Sequence, residues 1–194
     1  MKKNSGGLIL QSIRKAHGLS QYEMALKGKT FQANVSSIES GKTDPGISTL
    51  ETFIAPLGYS LIAIPTRRAC AAEMSLDVAD ELRVNQFDNA IRAVIQLNDN
   101  LLASEPLIKL ALCLTPPPTT QNQHFDALIA GVCDYYLTKE NLPLPAWINE
   151  PSRFLQEAWI VDRFEKNIER IRSKTPEAIL RHNVLFAESE LQSV

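Results

Sequence analysis

Apolar residues return every three or four positions along most of the chain, and the breaks between periodic stretches fall on glycine, proline and short polar clusters. In residues 8–17, LILQSIRKAH, the side chains of Leu8, Ile9, Ile13 and Ala16 share one helical face while Arg14 and Lys15 lie off it, and Gly18 supplies a C-terminal cap. Ser20 and Glu23 have capping-box spacing, which opens a second helix from Gln21 to about Lys27 that buries Met24 and Ala25. A third helix is predicted from about Phe31 to Ser40, with Val35 and Ile38 inward and Gly41 as its stop. After the turn Asp44-Pro45-Gly46, Ser48-Thr49-Leu50-Glu51 forms a second capping box. It opens a fourth helix carrying Leu50, Phe53, Ile54 and Leu57 and ending at Gly58. Tyr59–Ile64 is β-prone and reads as a short strand. A lone strand leaves its backbone donors and acceptors unpaired, and no hairpin partner follows. Pairing with the same strand of a second copy is therefore expected.

The helical period continues from Arg67 onward. Ser75 to about Val84 forms one helix; Phe87, Ile91, Val94, Ile95 and Leu102 mark a longer one through about Ala103; Leu107–Leu114 is short and apolar. The segment 115–123 contains three consecutive prolines and is the one linker-like stretch, stiff and extended. Phe125, Leu128, Ile129, Val132 and Tyr136 give a further amphipathic helix, after which Pro143 and Pro145 break the chain. Pro151, at a helix N1 position, opens a long helix through Phe154, Ala158, Val161, Phe164, Ile168 and Ile171. A final short helix starts at Thr175-Pro176-Glu177, and Trp147 and Trp159 read as core or interface anchors, with core favoured. The pattern predicts an all-α protein. Residues 1–66 make a domain of four to five short helices with a trailing strand, and residues 67–194 make a second, helical domain.

Composition narrows the classes. No apolar run in the 194 residues approaches the ~18–20 that a membrane helix needs. The start Met1-Lys2-Lys3-Asn4-Ser5 is basic but leads into no apolar signal region. Cys70, Cys113 and Cys133 are odd in number and far apart, which fits reduced thiols. A cytoplasmic location is expected. The net charge of −2 hides an asymmetry: residues 1–68 hold nine Lys/Arg against four Asp/Glu, or +5, and the other 126 residues hold eleven against eighteen, or −7. A basic lobe implies a polyanion partner, which the acidic lobe would repel.

The stretch Leu8–Leu61 resembles the Cro/repressor type of helix-turn-helix domain, the XRE family. The resemblance rests on Ile13-Arg14, Gly18-Leu19-Ser20-Gln21, Met24-Ala25, Val35-Ser36, Ile38-Glu39, Gly41-Lys42, Ser48-Thr49-Leu50 and Leu57-Gly58. Their spacing needs no insertion. Such a domain holds two short helices by apolar contacts and sends the second into the major groove. Gln21, at the start of the first of these, is placed to meet a phosphate. Gln32, Ala33 and Asn34 lie at the tip of the second, where Gln and Asn suit adenine and an Ala methyl suits thymine. Ser36 and Ser37 follow along the helix, and Lys42 and Thr43 suit phosphate contacts that position without specifying sequence. The chain departs from the family at three places. Gly28 comes one residue before the usual glycine, where Lys29 stands. Phe31 replaces the common Ser or Thr, leaving Thr30 as the candidate cap, and Ser37 replaces a frequent Arg.

Residues 70–194 show no Gly-rich phosphate loop, no metal-spaced cluster and no convincing catalytic pair, so no enzyme activity, metal or cofactor is expected. The tail from Pro145 carries Pro-Ala-Trp, Phe154-Leu155, Trp159, Thr175-Pro176-Glu177-Ala178, Arg181-His182-Asn183-Val184-Leu185-Phe186 and Glu190-Leu191. It resembles the carboxyl-terminal half of repressor-like antitoxins that accompany nucleotidyltransferase-type toxins. The resemblance implies an autoregulating antitoxin: a homodimer on an inverted-repeat operator in double-stranded DNA, with the acidic lobe gripping a toxin. A stand-alone regulator, whose helical lobe senses a small molecule or only dimerises, is the other reading. The apolar carboxyl-terminal residues are either packed on their own lobe or kept for a partner.

Overall fold

The computed structural model describes residues 5–162 and 167–191. Contacts divide the chain into two compact units, Met1–Pro65 and Thr66–Val194. The first holds four helices: α1 (Ser5–Ala16), α2 (Gln21–Lys27), α3 (Gln32–Glu39) and α4 (Ile47–Ile54), followed by a 3-10 turn at Ala55–Leu57. Their apolar faces meet in one core of Leu10, Ile13, Met24, Ala25, Val35, Ile38, Leu50, Phe53 and Ile54. Gly18 ends α1 with φ +64, and Leu19 N–H reaches back to the Arg14 carbonyl at 3.1 Å. The box at the start of α2 forms in full: Glu23 N–H donates to Ser20 Oγ at 3.2 Å, and Ser20 N–H to Glu23 Oε2 at 2.7 Å.

Gly28 and Lys29 share the work of the α2–α3 turn. Gly28 has an ordinary φ of −81, but a Cβ there would lie 2.2 Å from the Phe53 ring, so the site is closed to any side chain. Lys29 takes the left-handed conformation, φ 51.

Three expectations for this unit change. Arg14 is buried rather than off the core face, because it has a buried acid to pair with. Ser48 does not cap α4: the Gly46 carbonyl already accepts from Leu50 N–H at 3.0 Å, so the helix begins at Ile47 and Ser48 sits inside its first turn. Tyr59–Ile64 forms no ladder within the chain, since the unit contains no second described strand. Tyr59 instead packs edge-on against His17, with ring centroids 5.8 Å apart, and Ile62 faces solvent.

The second unit is built round α8 (Gln123–Lys139), which α5 (Ala71–Arg83), α6 (Phe87–Leu102) and α7 (Pro106–Leu114) contact. Carboxyl-terminal elements cover it as well, so α8 is buried on every side rather than amphipathic. Where α10 (Glu177–Leu180) crosses, a Cβ on Gly131 would come within 3.3 Å of Ile179 Cα. Segment 115–123 is no free linker: Pro116, Pro117, Pro118 and Thr120 are buried on this core. The long helix expected from Pro151 is replaced by a 3-10 turn at Pro151–Arg153 and extended chain. Trp159–Ile160 (β1) pairs in parallel with Val184–Leu185 (β2), and the next helix among the described residues is Ile168–Lys174 (α9). The reason is the hydrogen bonding offered by the returning tail. Leu155, Trp159 and Val161 N–H donate to the carbonyls of His182, Asn183 and Leu185 at 3.2, 2.9 and 3.1 Å. Phe164 lies outside the described residues. Trp147 is buried and donates Nε1–H to the Cys113 carbonyl at 2.8 Å, while Trp159 is half-buried beside Phe87 and Phe125. Val184–Ala187 and Leu191 are buried in their own unit, and Val194 lies outside the described residues.

Candidate nucleic-acid interface

An internal ion pair among the described residues of unit 1 joins α1 to α3. Arg14 Nε and Nη2 donate to Glu39 Oε1 and Oε2 at 2.6 and 2.7 Å, and Arg14 Nη1 donates to the Leu19 carbonyl at 2.7 Å. The side chains are 10% and 3% exposed. A bidentate fork of this kind fixes direction as well as distance. It ties the end of α1 and the α1–α2 turn to the carboxyl-terminal end of α3, whose inner face is held by Val35 and Ile38 in the core.

Gln21 belongs to this lock. It is half-buried, and its Nε2 donates to Glu39 Oε2 at 3.0 Å, which directs its amide inward to Glu39. The pattern of the sequence did not reveal this cluster, because its members are 18 and 25 residues apart and no local period links them.

The remaining sequence-selected residues lie on or beside α3. Gln32, Ala33, Asn34 and Ser36 are exposed, and none contributes to the core. Asn34 Nδ2 donates to Thr30 Oγ1 at 2.6 Å, which steadies the amide across the start of the helix. Thr30 does not cap α3: the N-cap is Phe31, which makes no side-chain hydrogen bond. Ser37 is half-buried, with its Oγ 2.7 Å from Thr43 Oγ1. Lys42 N–H and Thr43 N–H both donate to the Ser37 carbonyl, at 3.0 and 3.1 Å, and Gly41 turns the chain there with φ 74. That tight turn leaves Lys42 exposed just past α3. On the other flank Lys29 is exposed, and beside it runs a hydroxyl-rich hollow of about 550 Å³ lined in part by Thr30, Asn34, Thr43, Thr49 and Thr52. An uncharged row on α3 is thus flanked by cationic side chains, the order in which base edges and phosphates are met across a major groove.

Unit 2 contains a second polar cluster that the sequence did not announce. His182 is buried with Nδ1 donating to the Arg153 carbonyl at 2.8 Å and Nε2 lying 3.2 Å from Asp134 Oδ2, and Phe154 stacks on its ring at 4.5 Å. Asp134 also accepts from Thr138 Oγ1 at 2.9 Å and pairs with Arg181. Arg153 Nη2 donates to the Pro117 carbonyl at 2.6 Å, and Asp126 accepts from Thr119 Oγ1 and from Thr120 N–H and Oγ1 at 2.6, 2.8 and 2.8 Å. These bonds pin the proline segment and the tail onto α8. Among the described residues no group of three or more His, Cys, Asp or Glu side chains is arranged to hold a metal, and no helix is long and apolar enough to cross a membrane.

Compared with known families, residues 10–64 match the family model described as helix-turn-helix. No curated protein and no solved structure matches the chain. Residues 10–64 are therefore a helix-turn-helix domain of the XRE type, the kind carried by sequence-specific DNA-binding regulators.

Proposed function

We propose that the protein is a transcriptional repressor that binds an inverted-repeat operator as a homodimer and serves as the antitoxin of a toxin–antitoxin pair, with unit 2 as the toxin-binding part. The observation that carries the DNA half is the row Gln32, Ala33, Asn34 and Ser36, exposed on a helix whose angle is locked by Arg14 and Glu39. In the proposed interface Gln32, Asn34 and Ala33 face base edges, Ser36 and Ser37 face bases or phosphates, and Lys42 and Thr43 face phosphates. Gln21 contributes only through its place at the amino terminus of α2, since its amide is turned to Glu39. The exposed segment around Ile62 supports pairing between copies. The partner half rests on charge and on the resemblance of the tail: unit 2 holds thirteen Lys/Arg against eighteen Asp/Glu, or −5, which suits a basic protein.

Selection of the full-length protein against a random duplex library, followed by gel shifts, tests the DNA half. An inverted repeat with half-sites ~34 Å apart is expected. Binding should weaken linearly in log–log terms as salt rises. Gln32→Ala should cost about 1–3 kcal/mol at one or two base pairs, and Lys42→Ala should weaken all sequences alike. Salt-independent binding, or a Gln32→Ala protein with wild-type affinity, refutes this interface. Co-expression with the adjacent gene tests the other half: growth arrest that the full-length protein fails to relieve refutes the antitoxin role. A ligand-sensing regulator remains the second reading because unit 2 carries a groove of about 370 Å³ with Phe87, Ile91, Ile95, Val161 and Phe186 in its lining.

A further inference from the structure

We propose that Phe31 is a base-reading residue whose ring meets the C5 methyl groups of thymine at the end of the operator half-site under the amino terminus of α3. The proposal rests on the DNA-binding reading of unit 1 and adds a residue to it. Phe31 occupies the N-cap of α3 with φ −95 and ψ 148 and makes no side-chain hydrogen bond. Its side chain is 80% exposed, more than any other large apolar side chain among the described residues.

Both facts count against a structural role. The residues that stabilise an N-cap are Ser, Thr, Asp and Asn, through a hydroxyl or carboxyl that accepts from the first free N–H groups. A phenyl ring offers no acceptor. It is also absent from the core of unit 1, so it contributes no burial. What remains is an aromatic ring held in water immediately before Gln32 and Ala33, at the end of the helix that enters the groove first.

The major groove presents one apolar group, the thymine methyl, and an aromatic ring suits it. Exposed Ala33, two residues on, adds a second apolar surface of methyl size on the same end. Gln32 lies between them and supplies the hydrogen bonding that apolar contact lacks. The tip of α3 thus has a mixed character, one amide flanked by two apolar groups, suited to a step in which adenine and thymine are neighbours.

The test uses the full-length protein and the tightest duplex from the random-library selection, with each thymine replaced singly by deoxyuridine. Loss of one methyl contact should weaken wild-type binding about fourfold at one or two thymines of each half-site. Phe31→Ser should weaken binding to the parent duplex and erase the deoxyuridine effect at those same positions, while the response to base changes under Gln32 persists. Phe31→Leu, which keeps apolar surface, should keep part of the methyl dependence. Because serine caps a helix and phenylalanine does not, Phe31→Ser should melt no lower than wild type, so its weaker binding is not unfolding. The proposal is overturned if wild type and Phe31→Ser give the same deoxyuridine profile, or if the selected half-site has no thymine that wild type senses. It is equally overturned if Phe31→Ser lowers the oligomer mass in sedimentation and leaves that profile intact, since the ring then serves a protein contact. A wild-type protein that selects no duplex at all removes the DNA-binding reading itself.

Discussion

Glu39→Gln keeps the shape of the side chain at the end of α3 and removes its charge. The carboxylate accepts three hydrogen bonds, two from Arg14 and one from Gln21. An amide has one oxygen, so at least one of these donors must face an NH2 group, and the guanidinium is left with the Leu19 carbonyl and a single uncharged amide oxygen in place of both carboxylate oxygens. Arg14 is 10% exposed and cannot turn to water without opening the α1–α2 turn. Removing one partner of a buried pair costs about 3–5 kcal/mol. A unit of this size has only about 3–10 kcal/mol of stability in total, so the substitution takes a third or more of it. Native-state hydrogen exchange on the amides of α1 and α3 in the full chain reads this directly, without interference from unfolding elsewhere. The double variant Arg14→Met with Glu39→Leu should recover most of the loss, because no charge is left buried. A Glu39→Gln change below about 1 kcal/mol would falsify the lock, since that is the worth of a surface pair. A double variant as unstable as the single one assigns the cost to packing instead.

The rest of the molecule yields three further expectations. Gly28→Ala should lose about 1–3 kcal/mol and a matching share of Tm, because its Cβ would press 2.2 Å from the Phe53 ring. Gly18→Ala, with open space around its Cβ, should lose only the ~1–2 kcal/mol left-handed penalty, and a Gly28→Ala variant as stable as wild type contradicts the packing argument. Native thiols should resist alkylation at neutral pH and all three should react in denaturant. The hydrogen bond with Cys113 and then burial hold the Cys133 thiol well above its usual range, and burial pushes Cys70 up to about 11. Both thiols stabilise the fold below the ordinary thiol range and lose that contribution as pH rises through their folded values, so urea midpoints should fall in strong alkali. The Glu23 carboxyl, held low chiefly by the Ser20 N–H and then by the Ser20 hydroxyl, contributes to α2 above the ordinary carboxylate range and ceases to as pH falls through its folded value. An NMR titration of that carboxyl at an ordinary glutamate value contradicts the capping box.

What was legible in the sequence was what is local. α1, α2 and α3 announce themselves through period, a capping box and stop glycines, and the exposure of Gln32, Ala33, Asn34 and Ser36 follows once Val35 and Ile38 are placed inward. The failures share a cause. Arg14 lies off the apolar stripe, and only an acid 25 residues away makes its burial possible. Phe154, Ala158 and Val161 have helical spacing, yet the chain there is extended because the tail returns to pair with it. The three prolines read as a spacer, but Arg153 captures the Pro117 carbonyl and the segment joins the core. Phe31 was visible as a departure from the family pattern, and only its exposure in three dimensions gives that departure a meaning.

Charge along the chain takes on a different sense once burial is known. Residues 1–65 hold seven Lys/Arg against four Asp/Glu, or +3, because Arg67 and Arg68 fall in the second unit. Arg14 is spent on Glu39 inside the fold, so neither acts on a ligand. Among the described residues, the exposed cations that border α3 in the sequence are Lys29 before it and Lys42 after it, thirteen residues apart in the chain, with an uncharged face between them. Affinity for any duplex scales with the number of phosphates neutralised. So small a set supplies a weak, sequence-independent attraction. Tight binding must then come from groups that touch base edges. In the proposed interface those are an amide at Gln32, an amide at Asn34 already braced by Thr30, and apolar surface at Ala33 and Phe31. A recognition helix with so little charge gains by being rigid, because each edge contact is short-ranged and fails if the helix tilts. In that proposal the Arg14–Glu39–Gln21 lock, whose side chains bond to one another inside unit 1, supplies the rigidity that such a reading head needs.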